Sequence, residues 1–282
     1  MTVRTSDFAG AWYPGSAAEC RRLISSYVEA ARPCPEGKKL VGGIVPHAGW
    51  VFSGHIACNV IQCLAAVSDP DTVVIFGRHL HPRSGNYIMT EGSWATPLGD
   101  LVIDNDLAEA LVSEFRFTVE TAAAHDQDNT IELQLPFIRY FFPQAKILPV
   151  GVPPAPESLG IGARTVDIAE ELGREVLVLG STDLTHYGYN FGFAPKGVGS
   201  EAVSWVKNYN DRRVIDLMLA MDAEGVIAEG LEHQNACCAG AAAAAVAAAK
   251  RLGADRGVEL AYATSYDIRP DTSFVGYVGI LF

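Results

Sequence analysis

Histidine and cysteine residues stand at three points of the sequence where their side chains could bind a metal ion. His47 is isolated, His79 and His81 are two residues apart, and Cys237 and Cys238 are adjacent. Neutral imidazole binds Zn, Cu and Fe, and it also acts as an acid or base because its ordinary pKa is about 6.5. A His-x-His pair alone is a weak motif. The site therefore depends on whether the fold brings these residues together.

Two acidic residues could assist such a site. Asp183 and His186 are three residues apart, which permits a carboxylate–imidazole pair in which His186 is the general acid or base. Glu132 is a candidate for a hydrogen-bond acceptor that orients a ligand histidine. It ends the run 126–132, and the alternative for this run is the acidic first turn of a helix, which acids stabilise by about 0.3–1 kcal/mol.

The adjacent cysteines precede an Ala-rich helical pattern. A thiol at a helix N-terminus has a lowered pKa, and its thiolate binds metals or attacks electrophiles. The alternative is that Cys237 and Cys238 are two small buried hydrophobic residues. Adjacent cysteines rarely form a disulfide with each other. Cys58 and Cys63 lie in an apolar helical pattern, where we expect reduced, buried thiols.

Short β-rich runs alternate with helical patterns, which predicts an α/β fold with a largely parallel sheet and helices on both faces. The predicted strands are 40–45, 72–76, 145–150, 175–179, 258–264 and 274–281. The predicted helices are 17–31, 53–67, 106–115, 130–141, 156–172, 201–221 and 240–252, the last packed tightly because of its alanines. Segment 83–97 is expected to be irregular or a short hairpin. No linker interrupts the chain, so we expect one domain over residues 1–282.

In an open α/β sheet, ligands bind beyond the carboxyl ends of the strands. His47 follows the first of these strands, His79 and His81 follow the second, and Asp183 with His186 follows the strand 175–179. The polar residues are thus concentrated where this fold places active sites.

Composition excludes several classes of protein. The 282 residues are 49% hydrophobic and carry 21 Lys+Arg against 33 Asp+Glu, a net charge of −12. This composition argues against a disordered chain and against nucleic-acid or anionic-membrane partners. The longest run of small apolar residues, 239–249, is shorter than the roughly 20 needed to cross a bilayer, and no signal-peptide pattern is present. Six cysteines are too few for a disulfide scaffold, so a cytoplasmic protein is expected.

Seven segments in order resemble one known family over nearly the whole chain. They are FAGAWYPG, IVPHAGWVFSG, FGRHLHP, DNTIELQLPF, ILPVGV, GSTDLTHYG and NACCAG. They resemble the Memo-like family, whose members are also called AmmeMemoRadiSam system protein B. The family is similar in structure to the class III extradiol dioxygenases, which cleave catechol rings at non-haem Fe(II). The resemblance thus implies one α/β domain of that type around a mixed sheet.

The resemblance also implies roles for individual residues. The implied metal ligands are His47, His81 and Cys238; Asp183 and His186 line the same cleft, and Glu132 matches a glutamate of the family. The family pattern Ser-His-His is replaced here by Arg-His-Leu-His, so His79 could take the place of His81. Likewise, Cys-Cys-Ala-Gly replaces Ile-Cys-Gly-Arg, which leaves Cys237 as an alternative to Cys238. Asn129 stands where the family has a histidine.

These observations predict a Memo-like metal-binding protein with oxidoreductase chemistry on a small molecule. Fe(II) is the expected ion, with Cu or Zn also compatible because thiolate replaces the dioxygenase carboxylate. One alternative is a non-catalytic binding or adaptor protein whose cleft holds a small molecule or peptide, with walls from Trp12, Tyr13, Trp50 and Trp94. Another is a zinc-dependent hydrolase. The sequence is also compatible with a homo-oligomer, because the Ala-rich helix could pack against a second copy of the chain.

Overall fold

A large mixed β-sheet with helices on both faces forms the centre of the computed structural model, which describes residues 2–37 and 39–282. The strands are β1 (Val3–Arg4), β2 (Gly42–Val45), β3 (Thr72–Gly77), β4 (Asn86–Met89), β5 (Ser93–Trp94), β6 (Leu101–Val102), β7 (Phe117–Glu120), β8 (Lys146–Gly151), β9 (Val176–Ser181), β10 (His186–Tyr187), β11 (Val258–Thr264) and β12 (Phe274–Leu281). The helices are α1 (Ala17–Glu29), α2 (Trp50–Ala65), α3 (Asn105–Glu114), α4 (Asn129–Glu132), α5 (Leu135–Phe141), α6 (Pro156–Glu171), α7 (Ser200–Trp205), α8 (Asp211–Leu219), α9 (Ala223–His233), α10 (Ala239–Arg251) and α11 (Ser265–Ile268). A π-helical turn, Val206–Asn210, joins α7 to α8.

Four parallel strands form the middle of the large sheet, in the order β2, β9, β3 and β8. Ile75 in β3 lies opposite Leu179 in β9 and Pro149 in β8. On one side β12 pairs antiparallel with β2, β10 and β11; on the other, β4 pairs antiparallel with β8 and parallel with β7. The predicted α/β class and the covering of both faces are therefore confirmed, with a sheet that is parallel only in its centre.

The sequence pattern fails mainly at short elements. The expected irregular segment or hairpin at 83–97 instead contributes β4 to the large sheet and β5 to a separate three-stranded sheet with β1 and β6. Such strands are too short to carry a two-residue periodicity. The single helix predicted over 130–141 is two helices, α4 and α5, with Pro136 in the first turn of the second.

The Ala-rich helix α10 packs closely against α6 and the sheet, as its composition predicts. A Cβ built on Gly162 of α6 would lie 2.2 Å from the carbonyl oxygen of Ala244, and one on Gly240 would lie 2.2 Å from that of Pro153. Small side chains on both helices permit this approach. Neither α10 nor any other helix within residues 2–37 and 39–282 is long and apolar enough to cross a membrane.

We expect Gly162→Ala to lower the free energy of unfolding by about 1–3 kcal/mol, because the added methyl group would overlap the α10 backbone. Gly160 in the same helix is the matched control. No atom lies within 4 Å of a Cβ built there, so Gly160→Ala should be neutral or stabilise the fold by up to about 1 kcal/mol. Urea unfolding of both variants measures the difference, and equal effects would contradict the close packing.

The expectation that Cys63 is a reduced thiol is wrong. Cys63 of α2 forms a disulfide with Cys34, with Cα atoms 5.3 Å apart, while Cys58 is a free, buried thiol as expected. Cys34 lies in a loop 29 residues away in sequence, and no periodicity in that loop indicates that the two cysteines meet. This bond does not fit the cytoplasmic location expected from the sequence, because disulfides are uncommon there.

Candidate metal centre

The polar residues of the site lie just beyond the carboxyl ends of three neighbouring parallel strands. His47 lies two residues beyond β2, His79 two residues beyond β3, and Asp183 two residues beyond β9. Cys237 and Cys238 lie in the loop that enters α10, which packs against the same strands. The structure therefore concentrates these residues at the sheet edge where ligands bind in α/β folds.

Four side chains converge closely enough to hold one ion. The ligand atoms of His47, His79, Cys237 and Cys238 all lie within 4.8 Å of one another. The Sγ of Cys237 is 3.3 Å from Nε2 of His47, and the Sγ of Cys238 is 3.4 Å from Nδ1 of His79. The two imidazole rings are nearly perpendicular, with centroids 4.9 Å apart. Because all four are nitrogen or sulfur donors, this group could hold a transition-metal ion.

His81, the implied ligand, lies outside this group, and His79 takes the place beside the sulfurs. The chain leaves β3 through Arg78, whose φ of 76° is left-handed, so the segment is not the extended one that would align both histidines. The Nδ1 of His81 is exposed and accepts a hydrogen bond from the Arg83 amide instead.

Arg78 is held in this left-handed conformation by buried contacts. Its amide donates to Oγ1 of Thr130 at 2.7 Å, and its guanidinium lies 2.8 Å from Glu120 and over the ring of Tyr87. A strained backbone persists only where its surroundings fix it, and here it turns His79 towards the cysteines.

The tautomer of His47 follows from its hydrogen bonds. The Ser181 hydroxyl donates its one proton to the carbonyl oxygen of Thr130 at 2.6 Å, so it must accept from Nδ1 of His47, 3.0 Å away. In the neutral ring that binds a metal, the proton is then on Nδ1 and Nε2 keeps its lone pair for the ion. A ligand histidine is usually fixed in this way by a neighbouring acceptor. Without an ion, burial alone would lower the pKa of His47, but Asp183 and Cys237 raise it to about 9, so Nε2 is protonated beside the Cys237 sulfur.

The two thiols differ in their surroundings. Burial alone would raise the pKa of Cys237, but a hydrogen bond from Cys238 and the His47 imidazole hold that pKa well below its ordinary value. The amide of Asp183 also donates to Sγ of Cys237 at 3.3 Å. Burial and the neighbouring Cys237 thiolate raise the pKa of Cys238. In the absence of an ion, Cys237 is therefore the thiolate and Cys238 its proton donor.

Asp183 and His186 both line the site, but they do not form the expected pair. Asp183 accepts a hydrogen bond from the His47 amide at 2.8 Å, and its other oxygen lies 3.9 Å from Nε2 of His47. The structure gives no hydrogen bond between Asp183 and His186 within its described residues. The Nε2 of His186 is buried without a partner. Burial alone would lower the pKa of His186, but the Cys237 thiolate and Asp183 raise it.

Glu132 lies away from the cleft, and its role is to hold the N-terminal segment. Its buried carboxylate accepts hydrogen bonds from the amides of Asp7 and Phe8 and from the Tyr13 hydroxyl, all at 2.8–2.9 Å. Asn129 at the other end of α4 lines the cleft, whereas Glu132 is not among the lining residues. Glu132 thereby positions Trp12, whose side chain forms a wall of the site.

We expect Glu132→Gln to destabilise the fold by about 1–3 kcal/mol. The NH₂ group of Gln would face the N–H of Asp7 or Phe8, from which the carboxylate now accepts a hydrogen bond. Tyr13→Phe is the control, because it removes one donor and leaves the carboxylate with two, at a cost of about 1 kcal/mol. Urea unfolding and limited proteolysis near Trp12 measure both effects. A Gln variant with wild-type stability and protease resistance would contradict the assigned role.

A cavity of about 470 Å³ opens beside the four donors. Its polar lining residues are His47, His79, Asn129, Asp183 and His186, and its apolar walls include Trp12, Phe52, Phe191 and Val275. The lining contains no lysine or arginine among the described residues. Of the four aromatic residues expected as walls, only Trp12 lines this cavity; Tyr13, Trp50 and Trp94 are buried in the core.

The segment DNTIELQLPF positions the site through residues to which the sequence analysis assigned no role. Thr130 binds both Ser181 and the Arg78 amide, Asn129 donates to the carbonyl oxygen of His47, and Gln134 donates to that of Pro46. Their signal in the sequence is only that they lie in a polar run between predicted elements. Ser181 had a clearer signal, because it ends a buried strand two residues before Asp183.

Comparison with known proteins identifies the family and supports the fold. The family model described as Memo-like protein matches residues 4–281. A MEMO1 family protein of Pyrococcus abyssi is 34% identical over 99% of both chains, and one of Methanopyrus kandleri is 36% identical over 99% of this chain and 98% of the relative. An uncharacterized protein of Escherichia coli K12 shares the fold with a TM-score of 0.58 at 9% identity, covering 86% of this chain and all of the other. The chain belongs to the Memo-like family.

Proposed function

We propose that this chain is a metal-dependent oxidoreductase that acts on a small molecule in the 470 Å³ cavity. The observation that carries the proposal is the convergence of His47, His79, Cys237 and Cys238, whose donor atoms lie within 4.8 Å of one another. Of these four residues, His47 and His79 line the cavity. The ion would be held by the two imidazoles and by at least one of the two thiols.

The donor set narrows the choice of ion. Thiolate and imidazole are soft or borderline ligands, which favour Fe(II), Cu or Zn over Mg, Ca or Mn. Fe(II) or Cu fits an oxidoreductase, because both ions change oxidation state and Zn does not. A site that retained only Zn would instead fit a hydrolase.

Each polar residue around the donors has a distinct task in this proposal. When bound, the ion would supply electrophilic activation and electron transfer. Ser181 holds the His47 tautomer, and Asp183 fixes the His47 backbone through its amide. His186 lines the cavity and its buried Nε2 has no hydrogen-bond partner, so its imidazole would accept or donate the substrate proton.

The lining also limits the substrate. Because no cationic side chain of the described residues faces the cavity and the chain carries a net charge of −12, an anionic substrate would have to be attracted by the ion itself. The aromatic walls formed by Trp12, Phe52 and Phe191 favour a molecule with a flat apolar part.

The test is oxygen uptake by protein purified without oxygen and loaded separately with Fe(II), Cu(I) or Zn, using catechol and other small aromatic reductants. We expect uptake by the Fe or Cu form and none by the Zn form. His186→Gln should lower turnover by about 100- to 10,000-fold while the metal content stays unchanged. If no form consumes oxygen with any of these compounds, the oxidoreductase proposal fails and a binding protein is favoured.

A further inference from the structure

We propose that Cys237 and Cys238 bind the same ion together, so that the centre has four protein donors, two nitrogens and two sulfurs. This inference rests on the proposed metal centre and adds the second sulfur to it. It concerns the vicinal pair, in which each thiol faces a different histidine.

Three of the six distances between the donors are close to the edges of a tetrahedral site. With metal–sulfur bonds of about 2.3 Å, two sulfurs of a tetrahedron lie about 3.8 Å apart, and a sulfur and a nitrogen lie about 3.6 Å apart. The Sγ atoms of Cys237 and Cys238 are 3.8 Å apart. The two sulfur–nitrogen contacts, to His47 and His79, are 3.3 and 3.4 Å. The other three distances are at most 4.8 Å, so one ion can reach all four donors if these side chains move by about 1 Å or less.

The backbone explains how adjacent residues can point their side chains to one place. In a strand, successive side chains point to opposite faces. The two cysteines lie outside any strand, and Cys238, with φ −126° and ψ 54°, leads the chain into α10. The amide of Cys237 donates to the Asp183 carbonyl oxygen, and that of Cys238 donates to Oγ1 of Thr182. Both residues are thus fixed to the loop that follows β9.

A second sulfur would change what the centre can bind. A set of two thiolates and two imidazoles is softer than a set of one thiolate and two imidazoles. The second sulfur therefore strengthens selection for Zn, Cu(I) or Fe(II) over harder ions. Four protein donors also fill a tetrahedral ion. A substrate would then bind either as a fifth ligand or in place of one sulfur.

Cobalt(II) tests this inference, because each cobalt–sulfur bond adds to a charge-transfer band in the near ultraviolet. The wild type should bind one Co(II) per chain. Cys237→Ser and Cys238→Ser should each bind Co(II) more weakly and show about half the band intensity per bound ion, and the double variant should lose the band. Cys20→Ser is the matched control, because Cys20 is a buried free thiol that hydrogen-bonds the Pro14 carbonyl oxygen outside this group. It should keep the full band.

X-ray absorption of the Zn-loaded wild type provides a measurement that needs no variant. We expect two sulfurs at about 2.3 Å and two nitrogens at about 2.0–2.1 Å. One sulfur per ion, or a full band in one serine variant and none in the other, would overturn the second ligand while leaving the metal centre intact. A wild type that binds no Co(II) and no Zn would overturn both.

Discussion

His79→Ala is expected to weaken metal binding at least about 100-fold, whereas His81→Ala leaves it unchanged. The physical reason is that Nδ1 of His79 lies 3.4 Å from Sγ of Cys238, while His81 lies outside the donor group. Loss of a residue that merely supports a ligand already costs about 10- to 100-fold in affinity, so loss of a ligand should exceed this range. Competition titration with a chelator of known affinity measures both constants.

The two variants control for each other, because the residues are two apart in one loop and carry the same side chain. Similar stabilities in urea would show that the loop is intact in both. A larger loss in His81→Ala than in His79→Ala would return the ligand role to His81, as the family resemblance first implied.

Asp211→Asn is expected to change how stability depends on pH. Asp211 begins α8 and is fully buried, where it accepts hydrogen bonds from the Thr185 amide and hydroxyl and from the Tyr262 hydroxyl. Burial raises the pKa of its carboxyl group from 3.8 to about 6, although the hydrogen bonds from Thr185 and Tyr262 oppose this shift. An ionised carboxylate at this place therefore costs stability at neutral pH.

The direction of the pH effect follows from which state loses its proton first. As pH rises from about 4 to 6, the unfolded chain has lost the Asp211 proton while the folded chain still holds it, so the free energy of unfolding falls. The difference between the pKa of Asp211 in the folded and in the unfolded chain corresponds to at most about 3 kcal/mol of unfolding free energy. Asn resembles the protonated acid and does not titrate. The stability of Asp211→Asn relative to the wild type should therefore increase by this amount between pH 4 and pH 7.

Urea unfolding at a series of pH values measures this difference. Asp216→Asn is the control, because it makes the same substitution in the same helix at a side chain that is 69% exposed and pairs with Arg212 at the surface. A difference between Asp211→Asn and the wild type that stays constant from pH 4 to pH 7 would contradict the raised pKa.

The long elements of the fold could be predicted because their patterns are local. Strands β11 and β12 begin and end as predicted, and the predicted central strands differ from β2, β3, β8 and β9 by one or two residues at their ends. Strands of two to four residues such as β4, β5 and β7 could not be found, since they hold too few residues to show a period. The Cys34–Cys63 disulfide was missed because contact between distant segments leaves no local signal.

The place of the site could be predicted, but its contacts could not. The strand-end rule placed His47, Asp183 and the His79–His81 segment at one sheet edge. Which histidine faces the sulfurs depends on the left-handed conformation of Arg78, which a non-glycine residue rarely adopts and no sequence pattern indicates. Glu132 was likewise assigned by type and spacing, although its partners come from a segment more than 100 residues away.

The most direct test of the metal centre is the metal content of protein purified without oxygen. We predict one Fe, Cu or Zn ion per chain in the wild type and loss of that ion in His47→Ala, because Nε2 of His47 faces the Cys237 sulfur. A wild type without stoichiometric metal, or a His47→Ala variant that retains its ion, would contradict the centre.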